Sequence, residues 1–409
     1  MLKAASLRIV LFLIVIGLGL SACQPQAATP KVNSSTQVAI SAGQTLTAMP
    51  TTTPFPPATD TQIPEPTSTV TSTPVPTLGP IAVGPDNFPA DVDPLTGMTV
   101  SDAKILDRSP VMIKVSNYPA TGRPHAGLSS ADIVFDYYIG EGANRFLALF
   151  YGQDSDKVGP IRSGRYVDAQ LVPMYNGLLG FAFADARVYA KITTVLGNRA
   201  VVPSVANCPA ICDDGHNTVI SVFSNTAEFT KLEASKGVGN TKPNLNGMVF
   251  NTTPPQGGKP AQDINVNYSV YNREEWRYDT ASGKYLRWTD PGDTNQNSPM
   301  VELTDRNTGK QLAFSNVIVV FAMYIEYAPT LHDIMVATNA GGQKAIMFRD
   351  GQAYEGIWKS AGANKPMQFF TKDGKAFALK PGNTWMNLFG QNSTTKTDAD
   401  KWQIQFSLP

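Results

Sequence analysis

Leu178-Leu179-Gly180-Phe181-Ala182-Phe183-Ala184 is an apolar run of strand length, and Asp185 separates it from Ala186-Arg187-Val188-Tyr189-Ala190-Lys191-Ile192-Thr193-Thr194-Val195-Leu196. The second run reads as a helix that Gly197 is well placed to end. Just upstream, Gly159-Pro160 breaks the chain, and Ser163 can cap a helix over about 164–174. Strand, helix, strand, helix suggests a parallel crossover, which is right-handed in nearly all proteins. This stretch decides the class: an α/β first half built on a mixed sheet.

Working outward, 111–115 (Val-Met-Ile-Lys-Val) reads as a buried strand. Residues 133–138 and 145–151 are two more, joined through Gly140-Glu141-Gly142-Ala143-Asn144 as a hairpin. Beyond about residue 250 the signal is mostly strands: 268–270, 317–323, 345–348, 353–358 and 368–371. Turns such as Ser282-Gly283, Thr308-Gly309, Asp350-Gly351 and Asp373-Gly374 separate many of them. The overall expectation is α+β: an α/β domain at 91–245, then a β-rich domain at 246–409, with the proline-bearing stretch 240–262 as junction.

The N-terminus carries a different message. Lys3 and Arg8 precede an uncharged stretch, 9–20, too short for a standard membrane span. Leu20-Ser21-Ala22-Cys23 closes it, matching the lipobox of bacterial lipoproteins, in which the cysteine is lipidated after cleavage. Residues 1–23 are thus expected to be a lipoprotein signal peptide; the plainer alternative is ordinary secretory cleavage after Ala22. Residues 24–90 form a Thr/Pro-rich span whose part up to residue 80 has only Lys31, Asp60 and Glu65 as charges. Such composition buries no core. It predicts a disordered tether, with a reach on the order of 150 Å if held in polyproline form.

The chain has 33 basic and 33 acidic residues. Lys3, Arg8 and Lys31 are three of the former and Asp60 and Glu65 two of the latter, so the folded part has a net charge of −1. That excludes the basic excess expected of a nucleic-acid binder. With Cys23 set aside, Cys208 and Cys212 remain as a candidate disulfide in an oxidising compartment. Free thiols, or a metal site with His216, are the alternatives.

Several stretches together resemble the YerB family of bacterial lipoproteins, a domain of unknown function in two halves (the DUF3048 type). They are Pro94-Leu95-Thr96-Gly97, Arg123-Pro124 with Gly127-Leu128, Ala131-Asp132-Ile133-Val134, Arg145-Phe146-Leu147-Ala148, and Val158-Gly159-Pro160-Ile161-Arg162-Ser163 with Arg165. In the second half they include Thr308-Gly309-Lys310-Gln311-Leu312, Phe348-Arg349-Asp350-Gly351, Gly356-Ile357-Trp358 and Pro381-Gly382-Asn383-Thr384-Trp385. The resemblance covers roughly residues 92 to 390 and implies the lipoprotein class without any activity. Ser116 stands where the family usually has an acidic or amide residue, and Asn144 where it usually has Thr.

Among residues that bear chemistry, Arg162, Arg165 and Asp185 are the foremost ligand-binding candidates. The crossover places Arg162 and Asp185 at one sheet edge, where open α/β sheets bind ligands. Two guanidiniums beside a helix N-terminus suit a carboxylate or phosphate; structural ion pairing with Asp185 or Asp168 is the competing reading. Glu141 and Arg145 are secondary candidates, expected at the opposite end of the strand and paired with each other. Arg123 and His125 complete the secondary set. No metal-ligand array, Walker loop or nucleophile elbow is present. Of the five tryptophans, most are expected in the core.

The resulting expectation is a membrane-anchored extracytoplasmic lipoprotein that binds an anionic or peptidoglycan-like envelope component. It has no cofactor or metal, and its partners are the membrane and a wall polymer or envelope protein. A wall-polymer hydrolase using Asp185 or Glu141, and a protein-interaction scaffold, are the alternatives.

Overall fold

The computed structural model describes residues 82–293 and 295–409. The signal segment with Cys23, and the tether up to residue 81, lie outside them. The folded part begins before the sequence boundary at 90: Ala82 and Val83 pair with Asn251 and Phe250.

In the first half the strands of the main sheet are β1 (Val111–Ser116), β2 (Ile133–Gly140), β3 (Ala143–Phe150), β4 (Leu178–Gly180) and β5 (Ala200–Val201). The helices are α1 (Asp168–Met174), α2 (Ala186–Leu196) and α3 (Thr226–Ser235). Beyond α3 the elements described are strands, chief among them β6 (Asp263–Ser269), β7 (Asn272–Asp279), β8 (Lys284–Thr289), β9 (Asn316–Ala328), β10 (Leu331–Met335), β11 (Gln343–Arg349), β12 (Gln352–Lys359), β13 (Thr384–Gly390) and β14 (Lys401–Gln405). The protein is therefore a mixed α/β region with few helices, followed by a β-rich part. No helix among the described residues is long and apolar enough to cross a membrane.

A large mixed sheet runs β12-β11-β9-β13-β2-β3-β1-β4-β5, with β10 added to β9. The boundary at 245/246 divides the sequence, but strands from both sides hydrogen-bond into this one sheet. The joint is β13, parallel to β9 on one side and to β2 on the other. Every residue of β13 is buried, so it shows no polar–apolar alternation, as befits a strand covered on both faces.

Sequence and structure differ in how the first half is wired. β4 and β5 are parallel and joined through α2, so the crossover holds there. It fails for β3 and β4: β3 is antiparallel to β1, and β1 is parallel to β4. After β3 the chain first runs back, with Val158 bridging Ser224 and Ile161 bridging Val115. Gly159 sits there at φ 148°, and a Cβ on it would lie 2.8 Å from Phe223 and 2.9 Å from the Val222 carbonyl. Only glycine fits such a return. α1 is also shorter than expected. It starts at Asp168, and Ser163 does not cap it.

Strand register sorts side chains between the two faces. Lys114 and Ser116 of β1, Tyr137 of β2 and Arg145 of β3 share one face, because Arg145 lies opposite both Ser116 and Tyr137. α1 covers this face. Asp136, Asn144 and Phe146 point the other way, toward a second sheet of β8-β7-β6-β14. Between the sheets Arg287 stacks 4.0 Å over the Trp385 ring, and Trp276 packs on Trp385 at 5.3 Å. Trp276, Trp358, Trp385 and Trp402 are all buried; Trp288, partly covered, lies under Arg277 at 4.2 Å.

Candidate functional site

The returning segment after Gly159 assembles the site. The Arg162 N–H donates to the Lys114 carbonyl (3.0 Å), and its own carbonyl accepts from the Ala182 N–H (3.0 Å). The Gly164 N–H donates to the Phe183 carbonyl (3.0 Å). The 162–165 loop is thereby stitched between the C-terminal end of β1 and the residues following β4. Arg145 reaches the same place from β3, its Nη1 donating to the Ser163 carbonyl at 3.3 Å. Arg145, Arg162 and Arg165 thus form one cluster. Arg145 does lie at the hairpin end of its strand, as expected; the correction concerns Arg162 and Arg165, which the return segment, absent from a direct crossover, carries to that same end.

None of the three guanidiniums is within ion-pair distance of a carboxylate among the described residues, because the nearby acids are engaged elsewhere. Asp185 caps α2 through the Arg187 N–H (2.9 Å) and forms a two-pronged pair with the Arg187 guanidinium at 3.0 Å. Hydrogen bonds from the Arg187 side chain hold the Asp185 carboxyl down to about 2. Asp168 accepts from Lys114 Nζ (3.0 Å), from the Tyr137 hydroxyl, and from the Arg165 N–H (2.7 Å). Structural pairing of Arg162 or Arg165 with Asp185 or Asp168 is therefore not what the chain does. Nor does Arg145 pair with Glu141, which sits exposed in the β2–β3 turn at φ 50°.

Arg145 is only 4 % exposed, and its Nε has no partner; the Nε atoms of Arg162 and Arg165 are likewise buried and unpartnered. Burial, then Arg165 and Arg162, push the Arg145 guanidinium well below the usual arginine range. Burial also lowers Arg162 and Arg165. Since an arginine stays protonated in proteins, this cost is stored as desolvation and like-charge repulsion. A bound anion would relieve both. The helix N-terminus anticipated beside the arginines adds nothing, because α1 opens on Asp168.

Under the cluster lies a sealed Lys114–Tyr137–Asp168 network. Burial, partly opposed by Asp168, lowers the Lys114 amine to about 7. The sequence singles out neither Lys114 nor Tyr137, and Asp168 only as a competing ion-pair partner of the arginines, although a lone lysine inside the apolar run 111–115 is a visible signal. Across the cluster's margin His332 on β10 packs edge-on against Tyr138 at 5.4 Å, with Glu326 3.4 Å away.

The other candidates belong to different places. Arg123 pairs with Asp290 at 3.1 Å, donates to Asn117 Oδ1, and lines a cavity of about 250 Å³ with Thr289, Pro291 and Leu303. A second cavity, of about 170 Å³, is lined by Asn267, Arg273 and Gln405. His125 is buried edge-on against Phe146 with both ring nitrogens unpartnered; burial, then Arg123 and Arg287, keeps it neutral. Asp136 and Glu274 converge on Arg287, whose Nη2 lies 2.8 Å from Glu274, and Asn144 Nδ2 donates to both acids. Burial and Glu274 raise Asp136 well above the carboxylate range. All three are fully buried between the sheets and brace the halves. Cys208 and Cys212 are joined by a disulfide, S–S 2.02 Å. No group of three or more metal-ligating side chains occurs among the described residues.

Comparison with known proteins agrees with this architecture. Residues 95–230 match the model "Protein of unknown function (DUF3048) N-terminal domain", and 264–386 match the corresponding C-terminal domain. A relative named "Putative lipoprotein YerB", from Bacillus subtilis (strain 168), is 28% identical over 272 residues, covering 64% of this chain and 76% of its own. The crystal structure of the YerB protein from Bacillus subtilis superposes with a TM-score of 0.58 at 27% identity, covering 73% of this chain and 96% of that one.

Proposed function

Since this chain belongs to the DUF3048 family, whose two halves have no assigned activity, we propose from its residues that it is a lipid-anchored extracytoplasmic protein that binds an anionic component of the cell envelope. The observation that carries the reading is the cluster of Arg145, Arg162 and Arg165, gathered from a strand and a loop and left without a carboxylate partner among the described residues. Guanidiniums form paired, charge-assisted hydrogen bonds with carboxylate and phosphate oxygens, and in a partly dry site these are strong. The lipobox ending in Cys23 and the lipoprotein name of the B. subtilis relative support the anchor. The Thr/Pro-rich span supports a ligand some distance from the membrane.

A hydrolase reading finds less support. Asp185 is held ionised by Arg187 and cannot serve as an acid near neutral pH. The converging pair Asp136 and Glu274 is sealed between the sheets.

The test is sedimentation of the full chain with isolated cell-wall sacculi at low and high salt, beside a folded R162A/R165A variant. Salt-sensitive binding by the wild type that the variant loses is the expected result. No binding by folded wild type, or equal binding by the variant, rejects the reading.

A further inference from the structure

Resting on the anion-binding reading above, we infer that the ligand is an acidic sugar, its anion held by Arg145, Arg162 and Arg165 and its pyranose ring laid on Phe183. Phe183 is the most conspicuous aromatic of the surface, 71 % exposed. Its backbone is left-handed, at φ 66°, a conformation that bulky L-residues adopt rarely and at a cost. Leaving a phenyl ring in water forgoes its burial as well. Both costs fall on one residue, and that residue is fixed to the arginine loop: its carbonyl accepts the Gly164 N–H, and Ala182 before it is bonded to Arg162.

Further aromatics follow the same rim. Tyr189 on α2 is 43 % exposed and packs on Phe181 at 6.0 Å. Tyr166, next to Arg165, meets the exposed Tyr327 of β9 edge-on at 5.5 Å. Rings beside cations fit a ligand with two parts. A pyranose turns a patch of C–H groups toward an aromatic face, and a carboxylate on that sugar reaches the guanidiniums. A polyanion without rings, such as a glycerol phosphate chain, would use the arginines and leave Phe183 idle.

The experiment compares three probes on the full chain by calorimetry or ligand-observed NMR. They are N-acetylmuramic acid (acidic pyranose), N-acetylglucosamine (its neutral counterpart) and lactate (the acid without the ring). Wild type should bind the first about five- to tenfold more tightly than lactate, the worth of one good ring contact, and more tightly than N-acetylglucosamine, which lacks the carboxylate that the guanidiniums hold. Phe183→Gly suits the left-handed backbone and removes the ring, so it should fold and lose that preference while its binding of lactate is unchanged. Phe183→Trp should retain the preference. Equal binding of lactate and N-acetylmuramic acid by wild type, or no change in Phe183→Gly, overturns the sugar inference and leaves anion binding standing. Failure of wild type to bind either acid overturns both.

Discussion

Replacing Arg145 by methionine should make the protein more stable and unable to bind anions, both at once. Arg145 is 4 % exposed, and its one hydrogen bond, to the Ser163 carbonyl, is 3.3 Å long. A contact of that length contributes about 1.5 kcal/mol, the low end for a charged donor. Against it, and against a weaker attraction from Asp168, stand desolvation of the charge and two neighbouring guanidiniums. At an effective dielectric constant of about 20, like charges even ~8 Å apart repel by about 2 kcal/mol. Methionine fills most of the space with a flexible apolar chain. The balance favours R145M by about 1–3 kcal/mol. Urea unfolding at low ionic strength measures it without screening the charges. In phosphate at 100 times its Kd, wild type should gain about 2.7 kcal/mol. R145M should gain only the general effect of an excluded salt. The reasoning fails if R145M loses 1 kcal/mol or more in phosphate-free buffer, or if both proteins respond to phosphate alike.

The same substitution should act oppositely at Arg287. R287M leaves Asp136 and Glu274 facing each other without a cation in a sealed space, and should cost about 3–5 kcal/mol in the same unfolding assay. Asp93, buried and accepting from Leu95 and Thr96, has its carboxyl raised to about 6 by burial, from an ordinary 3.8. Its contribution to stability is therefore full below about pH 4 and lost as pH rises through about 6, some ~3 kcal/mol in all. D93N should flatten unfolding midpoints between those pH values and exceed wild type at pH 7; an unchanged pH profile would refute the assignment. D185A should fray the start of α2, seen as faster amide exchange at Arg187 and Val188, yet leave phosphate affinity unchanged; a large loss of affinity would return Asp185 to the site.

What the sequence revealed, it revealed locally. α2 with its closing Gly197, and the hairpin of β2 and β3, are written in contiguous residues whose pattern needs no distant partner. The arginine cluster was half legible. Arg162 and Arg165 stand out in the sequence, but their meeting with Arg145 does not, because it depends on the chain doubling back along β1 where the local pattern suggests a direct crossover. Ser163 as a cap failed similarly, since Asp168 closes the turn from inside the helix. β13 was invisible as a strand. Thr384-Trp385-Met386-Asn387-Leu388-Phe389-Gly390 is covered on both faces and shows no alternation, and its neighbour β2 lies more than two hundred residues upstream in the sequence. Lys114 needed its Tyr137 and Asp168 partners, supplied by two other elements, before its burial made sense.

The position of β13 governs the order in which this protein can be made. A chain emerging from its N-terminus, from a ribosome or through a translocation pore, can form the hairpin of β2 and β3 early. β2 then presents a bare row of backbone donors and acceptors until residues 384–390 arrive to lie between it and β9. Neither half matched by the family models closes its own sheet. Folding is thus a commitment of the whole molecule late in synthesis, and during that interval the unfinished edge is open to any strand in reach, including that of a second unfinished copy.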